Sequence, residues 1–212
     1  GLFEMHEKGM LPVANPSEML LSERAKNVPG SCVIPAIEGS RPMLVDVQAL
    51  ALQTAYGTPR RTTNGFDAGR LALLLAVLEK RAGYVFGNQD VYINIIGGLK
   101  LDETACDLPV CLAMASSLLD LPVPEKALAI GEVGLGGEVR SVPNLEQRLH
   151  EAERIGFERA VIPKHSLAPP SHTPQTGNAP RRRTAKGTKR PVGRRSLAPA
   201  PHGFWLVSLL QS

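Results

Sequence analysis

The length, composition and charge of this sequence describe a chain of one or two globular domains. It has 212 residues, of which 43% are hydrophobic and 21% charged, so collagen, a long coiled coil and a fully disordered chain are excluded. The uncharged stretches 71–78 and 108–119 are shorter than the ~18 apolar residues of a membrane-spanning helix, so no membrane partner is expected. Three cysteines without C-x-x-C spacing favour reduced thiols in a cytoplasmic protein over a disulfide framework. The start at Gly1 without a basic and apolar leader indicates a fragment or processed piece.

The net charge of +4 is distributed unevenly along the chain. Residues 167–202 contain eight Lys or Arg residues and no acidic residue, whereas the rest of the chain carries 16 basic and 20 acidic residues. The same segment holds seven of the 18 prolines and few residues that build a core, so residues 167–212 are predicted to form a disordered tail. Its arginine clusters could contact phosphates or act as a localisation signal, but a solvated low-complexity tail is the simpler interpretation.

The first half of the chain alternates between strand and helix patterns. A hairpin is predicted over residues 1–13, and two strands over 32–37 and 43–50 are separated by a Gly- and Pro-containing turn. Asp67 is placed to cap a helix with leucines at i, i+3, i+4 and i+7, and Gly83 is placed to end it.

The second half continues the same alternation. The predicted elements are a strand over 91–96, a helix capped by Asp107, a hairpin of 127–133 with 138–142, a helix from Asn144 to Gly156, and a strand over 160–163. Strands and helices mixed in this way, with hairpins among them, predict an α/β or α+β layer fold.

Several motifs that would define an enzyme are missing from the 212 residues. There is no G-x-x-x-x-G-K-[ST] loop to hold nucleotide phosphates, and the glycines of 134–137 precede a strand, whereas a dinucleotide loop opens a helix. The histidines are scattered, and neither H-E-x-x-H nor G-x-S-x-G occurs. We therefore predict no metal site and no cofactor site in this chain.

A series of short motifs nevertheless occurs in a recognisable order. They are GLFEM at 1–5, NPS at 15–17, EGSRP at 38–42, PRR at 59–61, GFD at 65–67, RL at 70–71 with LEKR at 78–81, and GEVGL at 131–135. Together these residues closely resemble the C-terminal part of the RadA (Sms) family of bacterial DNA repair proteins. The resemblance runs from Gly1 to about His165.

The resemblance implies a domain organisation. That family has a four-cysteine zinc finger, a RecA-like ATPase core and a C-terminal domain similar to the proteolytic domain of Lon, with a ribosomal S5 domain 2-like fold. By resemblance, residues 1–25 are the hairpin remnant that ends the ATPase core, 26–166 are the Lon-like domain and 167–212 are the tail. The ATP, Mg and Zn sites of the family belong to parts that this chain lacks.

The resemblance also decides which catalytic residues to expect. Lon-type proteolysis needs a Ser nucleophile and a Lys whose amine removes the hydroxyl proton. The nucleophile position falls on Val110 and the lysine position on Glu146, so no catalytic residue is predicted. Gly97–Lys100 repeats the letters G-G-L-K after the wrong strand, and Cys111 lies one residue beyond the nucleophile position.

A basic patch is the candidate binding site that remains. Between residues 59 and 81 the sequence has five basic and two acidic residues, and the basic ones are Arg60, Arg61, Arg70, Lys80 and Arg81. Concentrated positive charge suggests contacts to DNA phosphates, and an aromatic content of 4% argues against base stacking. The alternative is that Arg70 pairs with Asp67 and that Lys80 and Arg81 only complement the helix dipole.

These observations lead to one functional prediction and two alternatives. We predict a non-catalytic Lon-like domain of a RadA-type repair and recombination protein in the cytoplasm. By resemblance, it supports binding of single-stranded or branched DNA and assembly of a homo-oligomeric, hexameric ring that performs ATP-dependent branch migration, with a RecA-type recombinase as a candidate partner. The alternatives are a Lon-type serine peptidase and a purely structural oligomerisation module.

Overall fold

The computed structural model describes residues 3–6, 9–55 and 57–167. The tail predicted for residues 167–212 therefore lies outside the described residues, apart from its first position. The described residues form four α-helices: α1 (Pro16–Leu21), α2 (Ala68–Ala82), α3 (Asp107–Leu119) and α4 (Leu145–Ile155). Their strands are β1 (Phe3–His6), β2 (Gly9–Pro12), β3 (Ser31–Glu38), β4 (Arg41–Gln53), β5 (Arg61–Asn64), β6 (Gln89–Ile95), β7 (Ala127–Ala129), β8 (Glu132–Val133), β9 (Val139–Arg140) and β10 (Arg159–Val161).

A six-stranded mixed sheet organises the domain, in the order β10-β7-β3-β4-β6-β5. The long strand β4 pairs antiparallel with β3 and β6, whereas the other three neighbouring pairs are parallel. The β3–β4 hairpin closes over Gly39 and Ser40, and the φ of +63° at Gly39 suits a tight hairpin turn. The predicted combination of strands, helices and hairpins in an α+β domain is therefore confirmed.

One face of the sheet is covered by helices. Helix α3 packs on β3 and β4, and α2 packs against α3 and β5. Leu71, Leu74 and Leu78 of α2 are fully buried, as their spacing predicted. Asp67 caps this helix by accepting a 2.6 Å hydrogen bond from the backbone N–H of Arg70, and its C-cap residue is Gly83. Both predicted ends of α2 are confirmed.

Helix α1 was not predicted, because six residues are too few to show a helical period. It packs on β4, and its buried Ser17 Oγ accepts a 3.1 Å hydrogen bond from the Leu44 N–H and donates a 2.5 Å bond to Glu151 of α4. The domain boundary at residue 25 stays a prediction, although α1, which precedes it, is joined to β4 and α4 by these bonds.

Three local predictions need correction. The run 127–133 forms two strands rather than one, because β7 pairs in the main sheet and β8 pairs with β9 in a separate hairpin. Asp107 is the first residue of α3 and not its N-cap, a position that Cys106 takes. Asn144 does occupy the N-cap position of α4, but its side chain makes no capping hydrogen bond.

The N-terminal hairpin is present as predicted, and β1 and β2 form a two-stranded sheet of their own. The three cysteines are buried and free of disulfides. Within the part of the chain that the structure describes, no helix has the length and apolar character needed to cross a membrane.

Candidate nucleic-acid interface

The side chain of Arg70 is partly buried and is held against the domain by its partners. Its Nε donates a 2.8 Å hydrogen bond to Asp107 Oδ1, its Nη2 forms an ion pair with Asp107 Oδ2, and the same Nη2 donates to the Val133 carbonyl at 3.1 Å. Asp107 is fully buried, and its Oδ2 also accepts the Val133 N–H at 3.0 Å. The hydrogen bond to Asp107 raises the pKa of Arg70 further. This ion pair ties α2, α3 and β8 together.

The predicted alternative for Arg70 was a pair with Asp67, and the structure shows a different partner. Asp67 is occupied as a cap for the backbone of α2, whereas the guanidinium of Arg70 reaches Asp107. This contact also explains why Asp107 does not cap α3: its carboxylate is used by Arg70 and by the Val133 N–H.

Arg61 is a second inward-directed arginine of the basic patch. Its Nη2 donates to the Phe86 carbonyl at 2.8 Å, and its Nη1 donates to the carbonyls of Gln89 and Arg60. These bonds fasten the segment before β6 to the start of β5. Such contacts to main-chain carbonyls favour a structural role for the guanidinium.

The remaining three basic residues are exposed. Lys80 and Arg81 lie in the last turn of α2, where positive charge complements the helix dipole. Arg81 Nε is 3.4 Å from the Leu135 carbonyl, and among the described residues neither of these two forms an ion pair. The exposed Arg60 precedes β5, with its backbone N–H 2.8 Å from Asp90 Oδ1.

The connection from α2 to β6 brings these three residues to one end of the domain. Glu79 Oε1 in α2 accepts a 2.7 Å hydrogen bond from the Phe86 N–H, and Phe86 also accepts the hydrogen bond from Arg61. The end of α2 and the start of β5 are therefore linked through one segment. Within the predicted patch, Arg61 and Arg70 are therefore partly buried, whereas Arg60, Lys80 and Arg81 are exposed.

The positions aligned with a serine–lysine dyad hold side chains of other chemistry. Val110 is fully buried in α3, and Glu146 is exposed in the first turn of α4. Burial raises the pKa of the neighbouring Cys111 thiol, so this sulfur stays protonated at neutral pH. In the described ranges, no group of three or more His, Cys, Asp or Glu side chains is arranged to hold a metal ion.

A buried arginine in α4 was missed by the sequence analysis. Arg148 has 1% side-chain exposure and forms an ion pair with Glu103. Its Nη1 donates to the Pro35 carbonyl at 2.6 Å, while Glu103 Oε1 accepts the Ile37 N–H at 3.1 Å. The pair therefore satisfies two backbone groups of β3. The surrounding pattern of Leu145, Leu149 and Ala152 placed residue 148 near the buried side of α4, but no signal identified its partner.

The sequence analysis also missed an open part of the sheet on the face opposite α3. There β4, β6 and β5 place eight positions in three cross-strand rows. The rows are Gln48, Asn94 and Asn64; Leu50, Tyr92 and Thr62; and Leu52 with Asp90. The Arg60 N–H donates to Asp90 beside the third row. Segment 25–30 lies beside the first two rows, and together they line a cleft of about 270 Å³. The sequence analysis did not predict this face, on which Leu50, Leu52, Thr62 and Asn64 are exposed in the described part of the chain.

Residues 72–166 match the family model described as subunit ChlI of Mg-chelatase. Over 167 residues the chain is 48% identical to the DNA repair protein RadA of Halalkalibacterium halodurans and 49% identical to that of Bacillus subtilis. Over about four-fifths of its length, this chain is similar in sequence to these RadA proteins.

The aligned region makes up most of this chain but a much smaller part of each relative. The aligned region covers 79% of this chain but 36% of the Halalkalibacterium and Bacillus proteins. For the RadA protein of Streptococcus pneumoniae, with 47% identity, it covers 40%. The chain thus spans little more than a third of the length of these curated relatives.

Proposed function

We propose that this chain is a non-catalytic accessory domain of a DNA repair protein that binds the phosphate backbone of single-stranded or branched DNA. The observation that carries the proposal is that the basic patch consists of two groups of residues. Arg61 and Arg70 bind carbonyl and carboxylate groups of the domain, while Arg60, Lys80 and Arg81 expose positive charge at one end of the domain. The names of the relatives, DNA repair protein RadA, support DNA as the ligand.

The finer assignments follow from the resemblance and belong to the same proposal. The domain has a Lon-like, ribosomal S5 domain 2-like fold and acts in the cytoplasm. It supports a hexameric ring in which a separate RecA-like core, with ATP, Mg and Zn sites, drives branch migration, and a RecA-type recombinase is a further partner. Bound DNA is held mainly through phosphates, because the exposed cations make charge contacts that carry no sequence information.

A charge-matched pair of triple variants tests the DNA contact. Both are made in the full chain after the eight basic residues of 167–202 are replaced by Gln, because the tail can bind DNA without specificity. One variant replaces Arg60, Lys80 and Arg81 by Ala. The control replaces Lys100, Lys126 and Arg140 by Ala; these residues are exposed and lie in ion pairs elsewhere on the domain.

The readout is the dependence of the affinity for single-stranded DNA on salt concentration. Removing one phosphate interaction should make the slope of log K against log salt shallower by about 0.7. We expect the slope of the patch variant to become shallower by up to about three such steps, one for each cation that contacts a phosphate, and the control to keep the parental slope. Equal changes of slope in both variants, or no binding by the parent at low salt, would contradict the proposal.

A Lon-type peptidase is the competing function, and the residues at the dyad positions oppose it. Neither the buried Val110 nor the exposed Glu146 can act as nucleophile or as an amine base. We expect the purified chain to leave unfolded casein intact. Casein hydrolysis that disappears when either residue is changed would overturn this assignment.

A further inference from the structure

The open part of the sheet has an ordered chemistry across its three rows. The register pairs Gln48 with Asn94 and Asn94 with Asn64, so three amide side chains lie side by side on adjacent strands. The next row pairs Leu50 with Tyr92. Neighbouring strands are about 4.8 Å apart and successive rows about 6.6 Å apart, so the amides border an apolar and aromatic strip.

The cleft beside these rows has an apolar floor and an apolar side. Leu50 and Tyr92 of the sheet form the floor, and Val28 and Pro29 form the side. Leu50 is 57% exposed and Val28 is 48% exposed, while Tyr92 is partly exposed. A ligand with a flat ring would contact the Tyr92 ring on the sheet and Val28 beside it. A polar edge of that ring would lie next to the amides of Gln48 and Asn94.

The amides keep hydrogen-bonding capacity for such an edge. Gln48 Nε2 donates one hydrogen bond to Asp46 Oδ2 at 3.0 Å, which orients the amide. Asn64 Nδ2 donates to Asn94 Oδ1 at 2.8 Å. Each amide carries two N–H donors and a carbonyl acceptor, so the Gln48 carbonyl and the Asn94 amino group remain to pair with a ligand.

The carboxylates around the cleft are compensated by neighbouring groups of the domain, so they do not oppose a ligand that carries a negative backbone. The carboxylate of Asp46 at its base is neutralised by Arg24 Nε at 3.3 Å and accepts a 2.6 Å bond from Ser31. Asp90 is buried and accepts bonds from Thr54 and from the Arg60 N–H. The cation at this end of the three rows is Arg60, which also belongs to the exposed basic patch.

From this arrangement we infer that the open sheet face holds a base of single-stranded nucleic acid, stacked on Tyr92 with its polar edge against Gln48 and Asn94. Aromatic side chains on a sheet surface bind unpaired bases in this way, and they tolerate different sequences because every base has a π-face. The inference rests on the proposed DNA function and adds a base-contacting site to the phosphate contacts. It replaces the expectation that this domain contacts the backbone alone.

A comparison of two oligonucleotides isolates the stacking contact in the full chain. Both have about 15 nucleotides and the same number of phosphates, but one carries thymine bases and the other carries abasic sites. Phosphate contacts and the basic tail act equally on both strands. The ratio of their dissociation constants therefore measures the contribution of the bases, and size-exclusion chromatography with light scattering records the oligomeric state.

The variants are chosen to keep the fold. We expect the parent chain to bind the thymine strand at least about five-fold more tightly than the abasic strand. Tyr92→Leu, which keeps an apolar side chain, should bring the ratio close to one, and Tyr92→Phe should restore it. Tyr84→Leu, which makes the same change at a partly exposed tyrosine after α2, serves as the matched control and should leave the ratio unchanged.

The other outcomes separate this inference from the proposed function. Tight, salt-dependent binding of both strands with a ratio near one overturns the base site and leaves the phosphate contacts standing, whereas no binding to either strand overturns both. A high ratio that persists in Tyr92→Leu overturns the base site as well. The base site is also overturned if the parent binds both strands equally and the Tyr92→Leu variant dissociates an oligomer that the parent forms. In that case the open face is an interface between protein chains.

Discussion

The covered and open faces of the central sheet differ in what they do with polar groups. On the covered face, the polar side chains that enter the interior are paired, as Arg70 is with Asp107 and as Ser116 is with the Gly30 N–H at 2.9 Å. On the open face, amides, a tyrosine and leucines reach solvent in rows. The difference indicates that one face carries the stability of the domain and the other is available for a ligand.

A large decrease in stability is expected from breaking the ion pair between Arg70 and Asp107. Asp107→Asn should lower the free energy of unfolding by about 3 kcal/mol, because it leaves the Arg70 charge without its partner in a largely buried site. Asp102→Asn is the matched control, since Asp102 pairs with Lys100 while both side chains are exposed, and it should change little. Urea unfolding followed by circular dichroism measures both. Equal decreases in stability would show that the ion pair does not carry the stability of this face.

Two leucines compare the faces directly. Leu71→Ala removes a fully buried side chain of α2 and should cost about 2–5 kcal/mol. Leu50→Ala removes a side chain that is 57% exposed on the open face and should stay within about 0.5 kcal/mol of the parent. Both are measured by the same unfolding titration. A large destabilisation by Leu50→Ala would mean that the open face is packed in solution, and the division of roles would fail.

The wall of the cleft can be tested through a pair of glycines. Gly30 has a φ of +89°, and an added Cβ would lie 2.1 Å from the Ala49 carbonyl oxygen, so Gly30→Ala combines backbone strain with a clash. Gly39→Ala also meets a positive φ, but nothing lies within 4 Å of its Cβ. We expect destabilisation by at least about 2 kcal/mol and by about 1 kcal/mol, respectively. Similar thermal unfolding of the two variants would contradict the close approach at Gly30.

The smallest effect is expected at the contact between α1 and α4. Arg154 first, and then the hydrogen bond from Ser17, lower the pKa of Glu151. A lowered folded-state pKa adds stability above the unfolded value of 4.5 and loses it as the pH falls through the folded value. Glu151→Gln should therefore cost up to about 1 kcal/mol at pH 7. The difference from the parent should narrow as the pH falls below 4.5, and a constant difference would exclude the linkage.

Local patterns in the sequence determined most of the elements. The leucine spacing with Asp67 and Gly83 defined α2 at both ends, and the turn at Gly39 placed the β3–β4 hairpin, because caps, turns and side-chain periods act over a few residues. The same reasoning missed α1 and β5, which are too short to show a period. It also predicted a single strand where β7 and β8 form two. A continuous β-rich sequence does not show where one strand ends and the next, with a different partner, begins.

For the candidate site, the sequence by itself determined the composition of the basic patch and the absence of a phosphate loop and a serine–lysine dyad. Only the tertiary structure decided that Arg61 and Arg70 turn inward while Arg60, Lys80 and Arg81 stay exposed. It also decided that Gln48, Asn94 and Asn64 stand in one row, although they are far apart in sequence. The physical reason is that ion-pair partners and cross-strand neighbours are set by packing and register, which depend on the whole chain.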